Sequence, residues 1–435
     1  DMTVQELVQK VLRWIACGKA PLNSAQIAEI ASVEIGDTQI SAEAIATDEE
    51  ILLSCSSLVR KNTNGDIEFS HFSVREFLMG IPDDPKVSPF TRYRIDLKLD
   101  NLKCAAECLQ YLCLEDFATG CLYDSADYIE RRKQHPFLSY ASELWVDHAG
   151  YEICDAGLFN LMCSLFKPEK SLQFLSWCQE KSLPVLTQLG LDFDFEDESG
   201  TWVQLLKFAS EYFSDVSRLH VAASIPLPGV VSWLVENGSD VNEQSRTVGT
   251  PLISAIGQIG IIRSPVSEGL PLTKVLNKDV RRLEHRLNTI EVLLRAGADP
   301  NIQGPDGTTA LQEMLMLEPE FIESKQTFCE TSLKIIQVLC KAGAICTKEV
   351  LEDYLSRALL HKFPNKSGPK FELLPDDKLH FQKGIAPLVD SMIGEINGFG
   401  QTEGHMSRPQ LSDEAYGRVI REAAGLGEVE VLQKY

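Results

Sequence analysis

The apolar positions at the start of the chain recur at helical spacing. In residues 4–15 they fall three or four positions apart, which places them on one face of a helix. Thr3 and Glu6 have the spacing of a capping box at its start, and Thr47 and Glu50 have the same spacing farther along. The pattern therefore predicts one helix after Thr3 and another after Thr47.

A further helix and a β-hairpin are predicted around these two. The helix follows "PLNSAQIAEIAS", with Asn23 or Ser24 as its cap. In "LVRKNTNGDIEF", Asn64 and Gly65 form a strong turn signal between two short alternating runs. Three helices followed by a hairpin is the order of a winged helix, so we predict a winged-helix domain at residues 1–80.

The stretch "GDIEFSHFSVREFLMG" places a histidine where the second strand gives way to a fourth helix. Ser73 is spaced as the cap of this helix, with Glu76 completing a capping box, and Phe72 and Phe77 are placed to form a hydrophobic staple. His71 would then lie beside unpaired backbone N–H groups. Its imidazole could donate to an anion near the helix N-terminus, or it could bond a nearby backbone carbonyl.

The remaining sequence predicts a mainly α-helical protein. "IPDDPKVSPF" has three prolines in ten residues, which indicates a linker at residues 81–96. Apolar stripes of helical spacing fill the following segment, so we predict a helical connecting domain at residues 97–216. In "LWVDHAG" and "RLHVAA", His148 and His220 are expected to be ordinary helix or turn residues.

A repeat occupies the last half of the chain. The segments "VVSWLVENGSDVN", "TIEVLLRAGADPN" and "LKIIQVLCKAGAICT" share one ending, which predicts ankyrin repeats at residues 217–435. The spacing requires insertions at residues 257–287 and 317–330. At residues 420–433 the sequence "IREAAGLGEVEVLQ" resembles part of a further repeat, so the last repeat is incomplete and we expect the chain to belong to a longer protein.

Each ankyrin unit is expected to be a helical hairpin whose apolar face is covered by its neighbours. Gly238 and Gly297 are placed to end helices with a positive φ angle. Stacking would leave the hairpin tips and the first helices exposed as one concave face. We expect protein partners to bind there.

Composition and charge narrow the class of partner. The chain is 44% hydrophobic and 24% charged, as in ordinary globular proteins. Its 63 acidic and 41 basic residues give a net charge of −22, which disfavours nucleic acid and anionic membranes. The 12 cysteines include no close CxxC pair and indicate reduced thiols. With no signal peptide or long apolar run, we expect a cytoplasmic protein.

Sequence motifs for catalysis are missing. "ACGKAPL" lacks the first glycine and the hydroxyl residue of a phosphate-binding loop, and there is no GxSxG or HExxH. The acidic stretch "DFDFEDESG" at residues 192–200 lacks the spacing of a calcium loop. We therefore expect no enzyme activity, no cofactor and no metal site.

Residues 4–80 and 137–150 resemble the segment that follows the NTPase core in fungal NACHT-ankyrin proteins of the STAND type. The motifs are "LRWIACGKAPLNSAQIAEIA", "HFSVREFL" and "LSYASELWVDHA". This winged helix carries the name of inositol deacylase, although no lipase motif is present. Residues 217–435 are similar to the C-terminal sensor array of the same proteins. The resemblance implies a switch that packs on an NTPase core in cis and a sensor that binds protein partners.

The resemblance also implies a role for His71. In animal NACHT receptors, the histidine of a similar strand-to-helix pattern reaches the phosphate of bound ADP, and "FSHFSVREF" matches that pattern. His71 would contact a nucleotide phosphate if an NTPase core is present. Two alternatives stay open: a stand-alone ankyrin adaptor, and a winged-helix DNA-binding regulator, which the acidic charge opposes.

Overall fold

The computed structural model describes residues 3–150, 155–167, 169–188, 201–257, 281–316 and 325–345. This part of the chain is mainly α-helical, with sixteen α-helices and one two-stranded sheet, as predicted. The chain divides into two compact units, Asp1–Asp215 and Val216–Tyr435. The predicted acidic run and incomplete last repeat lie outside the described residues, and the two predicted insertions lie partly outside them.

The first unit contains ten helices and both strands within the described ranges. They are α1 (Val4–Cys17), α2 (Ser24–Ser32), α3 (Asp48–Cys55), β1 (Val59–Lys61), β2 (Ile67–Phe69), α4 (Phe72–Gly80), α5 (Leu97–Leu112), α6 (Ser125–Gln134), α7 (Leu138–Ala149), α8 (Ala156–Leu165), α9 (Leu172–Gln188) and α10 (Thr201–Asp215).

Helices α1, α2 and α3 contact one another, and each begins at a side-chain cap. Thr3 and Thr47 form capping boxes with Glu6 and Glu50, so these two predictions are confirmed. Between the two candidates for α2, Asn23 is the cap. In each case a side-chain oxygen accepts the backbone N–H that the first helical turn leaves unpaired.

Strands β1 and β2 form an antiparallel hairpin that packs on α1 and α3. Its turn includes Gly65 with a φ of +91°, as the Asn-Gly signal predicts. The N–H of Ile67 donates to the carbonyl of Leu22 at 2.9 Å, and Asn23 pairs antiparallel with Asp66. The segment between α1 and α2 therefore contacts the start of β2 through one isolated β-bridge.

Residues on both sides of segment 81–96 share one hydrophobic core. Trp14 in α1 is fully buried and packs edge-on against Phe137 and Tyr140 of the α7 region, with ring centroids 5.2 and 5.9 Å away. The end of segment 81–96 is packed against α4, because Ile95 is buried and its N–H donates to the carbonyl of Leu78 at 3.1 Å.

In its described part the second unit is a stack of three helical hairpins. The helices are α11 (Arg218–Ser224), α12 (Pro228–Glu236), α13 (Pro251–Ile256), α14 (Arg281–Arg295), α15 (Ala310–Met316) and α16 (Lys325–Lys341). One row is formed by α11, α13 and α15, and a second row by α12, α14 and α16. Gly238 and Gly297 follow α12 and α14 with φ angles of +88° and +95°, which confirms their predicted conformation.

The first helices of the first two hairpins, α11 and α13, are not exposed. Every residue of α13 is buried, as is every residue of α11 except Arg218. The expectation that first helices contribute an open face is therefore wrong for these two, because such short helices are enclosed by the helices around them. Exposed side chains lie instead in the loop that joins one hairpin to the next between α12 and α13, among them Glu243, Gln244 and Arg246.

Candidate functional site

His71 is the N-cap of α4. Its Nδ1 accepts the backbone N–H of Ser73 at 3.2 Å and lies 2.8 Å from the Ser73 hydroxyl oxygen. The prediction that Ser73 caps this helix with Glu76 is wrong, because the imidazole satisfies the same kind of unpaired N–H from two residues earlier. The helix accordingly begins at Phe72.

The cap contact fixes which ring nitrogen of His71 can donate. Nδ1 must keep its lone pair to accept the Ser73 N–H, so a neutral ring carries its proton on Nε2. The His71 side chain is exposed, and its Nε2 has no partner among the described residues. A hydrogen-bond donor therefore remains available to an acceptor at the N-terminus of α4, where a negative charge is favoured.

Helix α4 also exposes an apolar surface. Phe72 and Phe77 are 69% and 58% exposed, so the predicted hydrophobic staple between them is wrong. Phe72 instead stacks at a tilt on His71, with ring centroids 4.3 Å apart, and Phe77 packs edge-on against Phe90 at 6.3 Å. We call the exposed side chains of Phe72, Phe77, Met79 and Phe90 the α4 surface.

A small number of contacts hold α4 on the first unit. Leu78 is its only buried residue, and a guanidinium nitrogen of Arg75 donates to the carbonyl of Ala16 at the end of α1 over 3.3 Å. The opposite face of the helix is left open. The sequence analysis did not predict this surface, although the nine residues of the helix include five large apolar ones, more than the three or four that one face holds over two turns.

A second histidine lies in a closed polar network. Tyr140 accepts the backbone N–H of Lys19 at 2.9 Å, and its oxygen lies 2.9 Å from Nε2 of His148. Nδ1 of His148 lies 2.9 Å from the side-chain oxygen of Asn101. Burial lowers the pKa of His148 to about 3. With both ring nitrogens engaged inside the core, His148 is a structural helix residue.

The core also buries an ion pair. Arg13 in α1 is bonded to Glu107 in α5, whose other carboxylate oxygen accepts the indole N–H of Trp14 at 2.9 Å. Burial raises the pKa of Glu107, while the positive charges of Arg13 and Lys10 oppose that rise. These groups join α1 to α5 and present no open position to a substrate.

In the second unit, polar side chains join successive hairpins. His220 in α11 is buried, and its Nε2 lies 2.9 Å from the carbonyl oxygen of Gly249. Asn242 donates to the carbonyl of Gly297 at 3.1 Å and accepts the N–H of Asp299 at 2.8 Å. Asn301 makes the same two contacts one hairpin later, with the carbonyl of Gly343 and the N–H of Ile345.

The described residues contain no group of three or more metal-ligating side chains. Within the same residues, no helix is both long and apolar enough to cross a membrane. Comparison with known proteins gives no match to a family description, a curated protein or a solved structure.

Proposed function

We propose that this chain is the non-catalytic regulatory region of a NACHT-type signalling NTPase, with a winged helix as the switch and an ankyrin array as the sensor. The observation that carries the proposal is the cap at His71. Its Nδ1 is engaged by Ser73, so Nε2 is left as an exposed donor. A nucleotide phosphate held by an NTPase core in cis would be the acceptor.

The arrangement around the hairpin supports a winged helix. Three mutually packed helices precede β1 and β2, and the segment at Leu22 and Asn23, between the first two helices, makes a single β-bridge beside β2. The first turn of α3 carries Asp48, Glu49 and Glu50. Three carboxylates at the start of this helix oppose phosphate-backbone contacts, which disfavours the DNA-binding alternative.

The α4 surface supports docking of the switch on an NTPase core. Phe72 contacts the His71 ring, so a protein that covers Phe72 and Phe77 would also bring its ligand close to Nε2. Burying two exposed phenyl rings is worth roughly 1.5–3 kcal/mol each. In this proposal, the docked state is the inactive one, and loss of the phosphate contact favours release.

The stack in the second unit supports the sensor role. Its helices form two rows, and the asparagine contacts hold the loops that follow α12, α14 and α16 against one another. The buried helices α11 and α13 leave the loop between the first two hairpins, with Glu243, Gln244 and Arg246, as the surface for a protein partner in the cytoplasm. The same stack without an NTPase core would serve an ankyrin adaptor, which is the second candidate.

The proposal is tested on the protein extended by the coding sequence upstream of Asp1. We expect a GxxxxGK[ST] motif there and co-purification of ADP with the extended protein. His71→Asn is the decisive variant, because asparagine retains a capping oxygen but lacks the imidazole donor. We expect His71→Asn and His71→Ala to release ADP faster than the wild type and to raise basal activity.

Three results would oppose the proposal in different ways. An upstream sequence without a phosphate-binding loop would favour the adaptor. Unchanged ADP release in His71→Asn, together with a loss of stability in His71→Ala, would make His71 a purely structural cap. A salt-sensitive gel shift of duplex DNA by the chain would support the DNA-binding alternative.

A further inference from the structure

The sequence contains three Asn-Gly pairs, and the structure describes two of them. One is Asn64 and Gly65 in the turn of the β-hairpin, and the other is Asn237 and Gly238 at the end of α12. An asparagine before a glycine is chemically unstable, because the backbone nitrogen of a residue without a Cβ atom can closely approach the carbonyl carbon of the asparagine side chain. The two pairs therefore carry the same reactive groups in different surroundings.

The backbone is alike at the two pairs. Gly65 and Gly238 have φ angles of +91° and +88°. The N–H of Gly65 donates to the carbonyl of Asn62 at 3.1 Å, and the N–H of Gly238 donates to the carbonyl of Val235 at 3.0 Å. Both asparagines are exposed. Neither access to water nor the conformation of the glycine distinguishes the two sites.

The side-chain amides of the two asparagines differ. The amide nitrogen of Asn237 donates to the carbonyl of Trp233 at 2.8 Å, one turn back along α12. This bond directs the side chain toward the preceding turn of the helix and away from the nitrogen of Gly238. The side-chain amide of Asn64 makes no hydrogen bond within the part of the chain that the structure describes. Its carbonyl carbon can therefore rotate toward the nitrogen of Gly65.

We propose that Asn64 is a site of spontaneous deamidation, which converts this residue to isoaspartate in part of the molecules. The backbone nitrogen of Gly65 loses its proton and attacks the side-chain carbonyl carbon of Asn64. The carbon–nitrogen bond of the side-chain amide breaks, and ammonia leaves with that proton. Water then opens the cyclic imide. Attack of water at the former side-chain carbonyl gives aspartate, and attack at the backbone carbonyl gives isoaspartate.

Isoaspartate would change the turn that joins β1 to β2. Its main chain runs through the former side chain and is longer by one carbon atom. The turn is closed by the side-chain oxygen of Asn62, which accepts the N–H of Asn64 at 2.9 Å and the N–H of Asp66 at 3.0 Å. An extra carbon between these two donors disturbs their shared bonding to one oxygen. The new carboxylate also adds a negative charge two residues from Asp66.

The change is expected to reach β2. The N–H of Ile67 donates to the carbonyl of Leu22 at 2.9 Å, and Asp66 forms the isolated bridge with Asn23. Both contacts come directly after the altered turn. Isoaspartate should therefore loosen the contact of β2 with the segment between α1 and α2, whereas ordinary aspartate keeps the length of the main chain and should loosen it less. The inference does not depend on the function proposed above.

The experiment incubates the full folded chain in mildly alkaline buffer and follows both Asn-Gly pairs by peptide mapping. Deamidation is measured as the gain in mass when OH replaces NH₂, and chromatography separates isoaspartate from aspartate. We expect the folded protein to deamidate several-fold faster at Asn64 than at Asn237. The matched control is the chain unfolded in guanidinium chloride, where the two rates should become similar because the Trp233 carbonyl no longer restrains Asn237.

Two variants separate the chemistry from its consequence. Asn64→Gln should abolish the product in the hairpin and leave the rate at Asn237 unchanged, because glutamine cyclises far more slowly. Freshly purified Asn64→Asp carries the new charge without the longer main chain. Hydrogen exchange of the Ile67 amide should be several-fold faster in the isoaspartate form than in Asn64→Asp.

Two results would overturn the proposed site. Deamidation of the folded protein at Asn237 that equals or exceeds that at Asn64 would show that the contact with Trp233 gives no protection. A folded protein without isoaspartate in the hairpin, over a period in which the unfolded chain forms it, would show that the turn itself protects Asn64. Equal exchange of the Ile67 amide in the isoaspartate form and in Asn64→Asp would overturn the expected effect on β2.

Discussion

Nε2 of His148 accepts the hydroxyl hydrogen of Tyr140 across 2.9 Å. This direction follows from the opposite side of the ring, where Nδ1 faces the side-chain oxygen of Asn101 at 2.9 Å. An amide oxygen only accepts, so Nδ1 must carry the proton and Nε2 the lone pair. The buried ring is neutral, and a second proton would occupy the Nε2 lone pair that accepts the Tyr140 hydroxyl.

The stability of the chain is expected to fall as acid protonates His148. Its pKa is about 3 in the folded protein against 6.5 for the free side chain. Between these values only the unfolded state binds the proton, so this contribution is complete above pH 6.5 and declines below it. The loss is ~1.4 kcal/mol per pH unit. Urea unfolding at several pH values measures it, and His148→Gln should flatten the profile. An unchanged slope in that variant would exclude His148 as its source.

The His71 cap should contribute only modestly to stability. His71→Ala removes the acceptor of the Ser73 N–H and is expected to cost ~1 kcal/mol. His71→Asn should cost less, since asparagine is a strong N-cap. Denaturant unfolding of the two variants makes the comparison. Equal losses would indicate that ring contacts such as the one with Phe72, and not the cap, give His71 its structural value.

Removing one partner of the buried Arg13–Glu107 ion pair should destabilise the protein strongly. Glu107→Ala leaves Arg13 without its carboxylate and the indole N–H of Trp14 without its acceptor, for an expected loss of about 3–5 kcal/mol. Replacing both partners, as in Arg13→Met with Glu107→Leu, should cost less than Glu107→Ala. Chemical denaturation tests this order. If the double variant is less stable than Glu107→Ala, the ion pair makes a net contribution to the stability of the fold.

The side chain of Asn242 should contribute more to the stability of the stack than the side chain of Asn237. It makes two hydrogen bonds to the next hairpin, whereas Asn237 bonds only the Trp233 carbonyl within its own helix at 2.8 Å. Asn242→Ala is expected to destabilise the stack by roughly 1–3 kcal/mol and Asn237→Ala by less. Hydrogen exchange of the Asp299 amide reports the loss directly. Equal effects would mean that the contact between hairpins adds little.

The chain alone is expected to hydrolyse neither ATP nor GTP above background. It contains no GxxxxGK[ST] sequence that could hold a triphosphate. Phosphate release by the purified chain measures this expectation. Turnover that survives a second, independent purification would contradict it.

Local signals in the sequence predicted local structure well. The capping boxes at Thr3 and Thr47 and the turn at Gly65 depend on side chains within a few residues. The N-cap of α4 was predicted as Ser73 because serine has a stronger N-cap preference than histidine. In the structure the imidazole of His71 is oriented to accept the backbone N–H and forms the cap instead. The open face of α4 depends on which neighbours cover it, and spacing cannot supply that information.

Long-range polar contacts could not be predicted from the sequence, for a different reason. Glu107 and Arg13 are 94 residues apart, and no periodicity connects them. The asparagines of "GSDVN" and "GADPN" lie in turns, and their partners in the next hairpin follow only from the stack. The burial of α11 and α13 likewise depends on the assembled rows of helices.

The asparagine contacts give the hairpin stack a direction. Asn242 reaches forward to the loop after α14, and Asn301 reaches forward to the loop after α16. The third ending, "AGAICT", has isoleucine and threonine where the earlier endings have aspartate and asparagine. A threonine lacks the paired carbonyl and NH₂ that clamp both groups of a following loop. Loss of the loop after α16 would release only the contacts of Asn301, and the contacts of Asn242 would open only with the loop after α14.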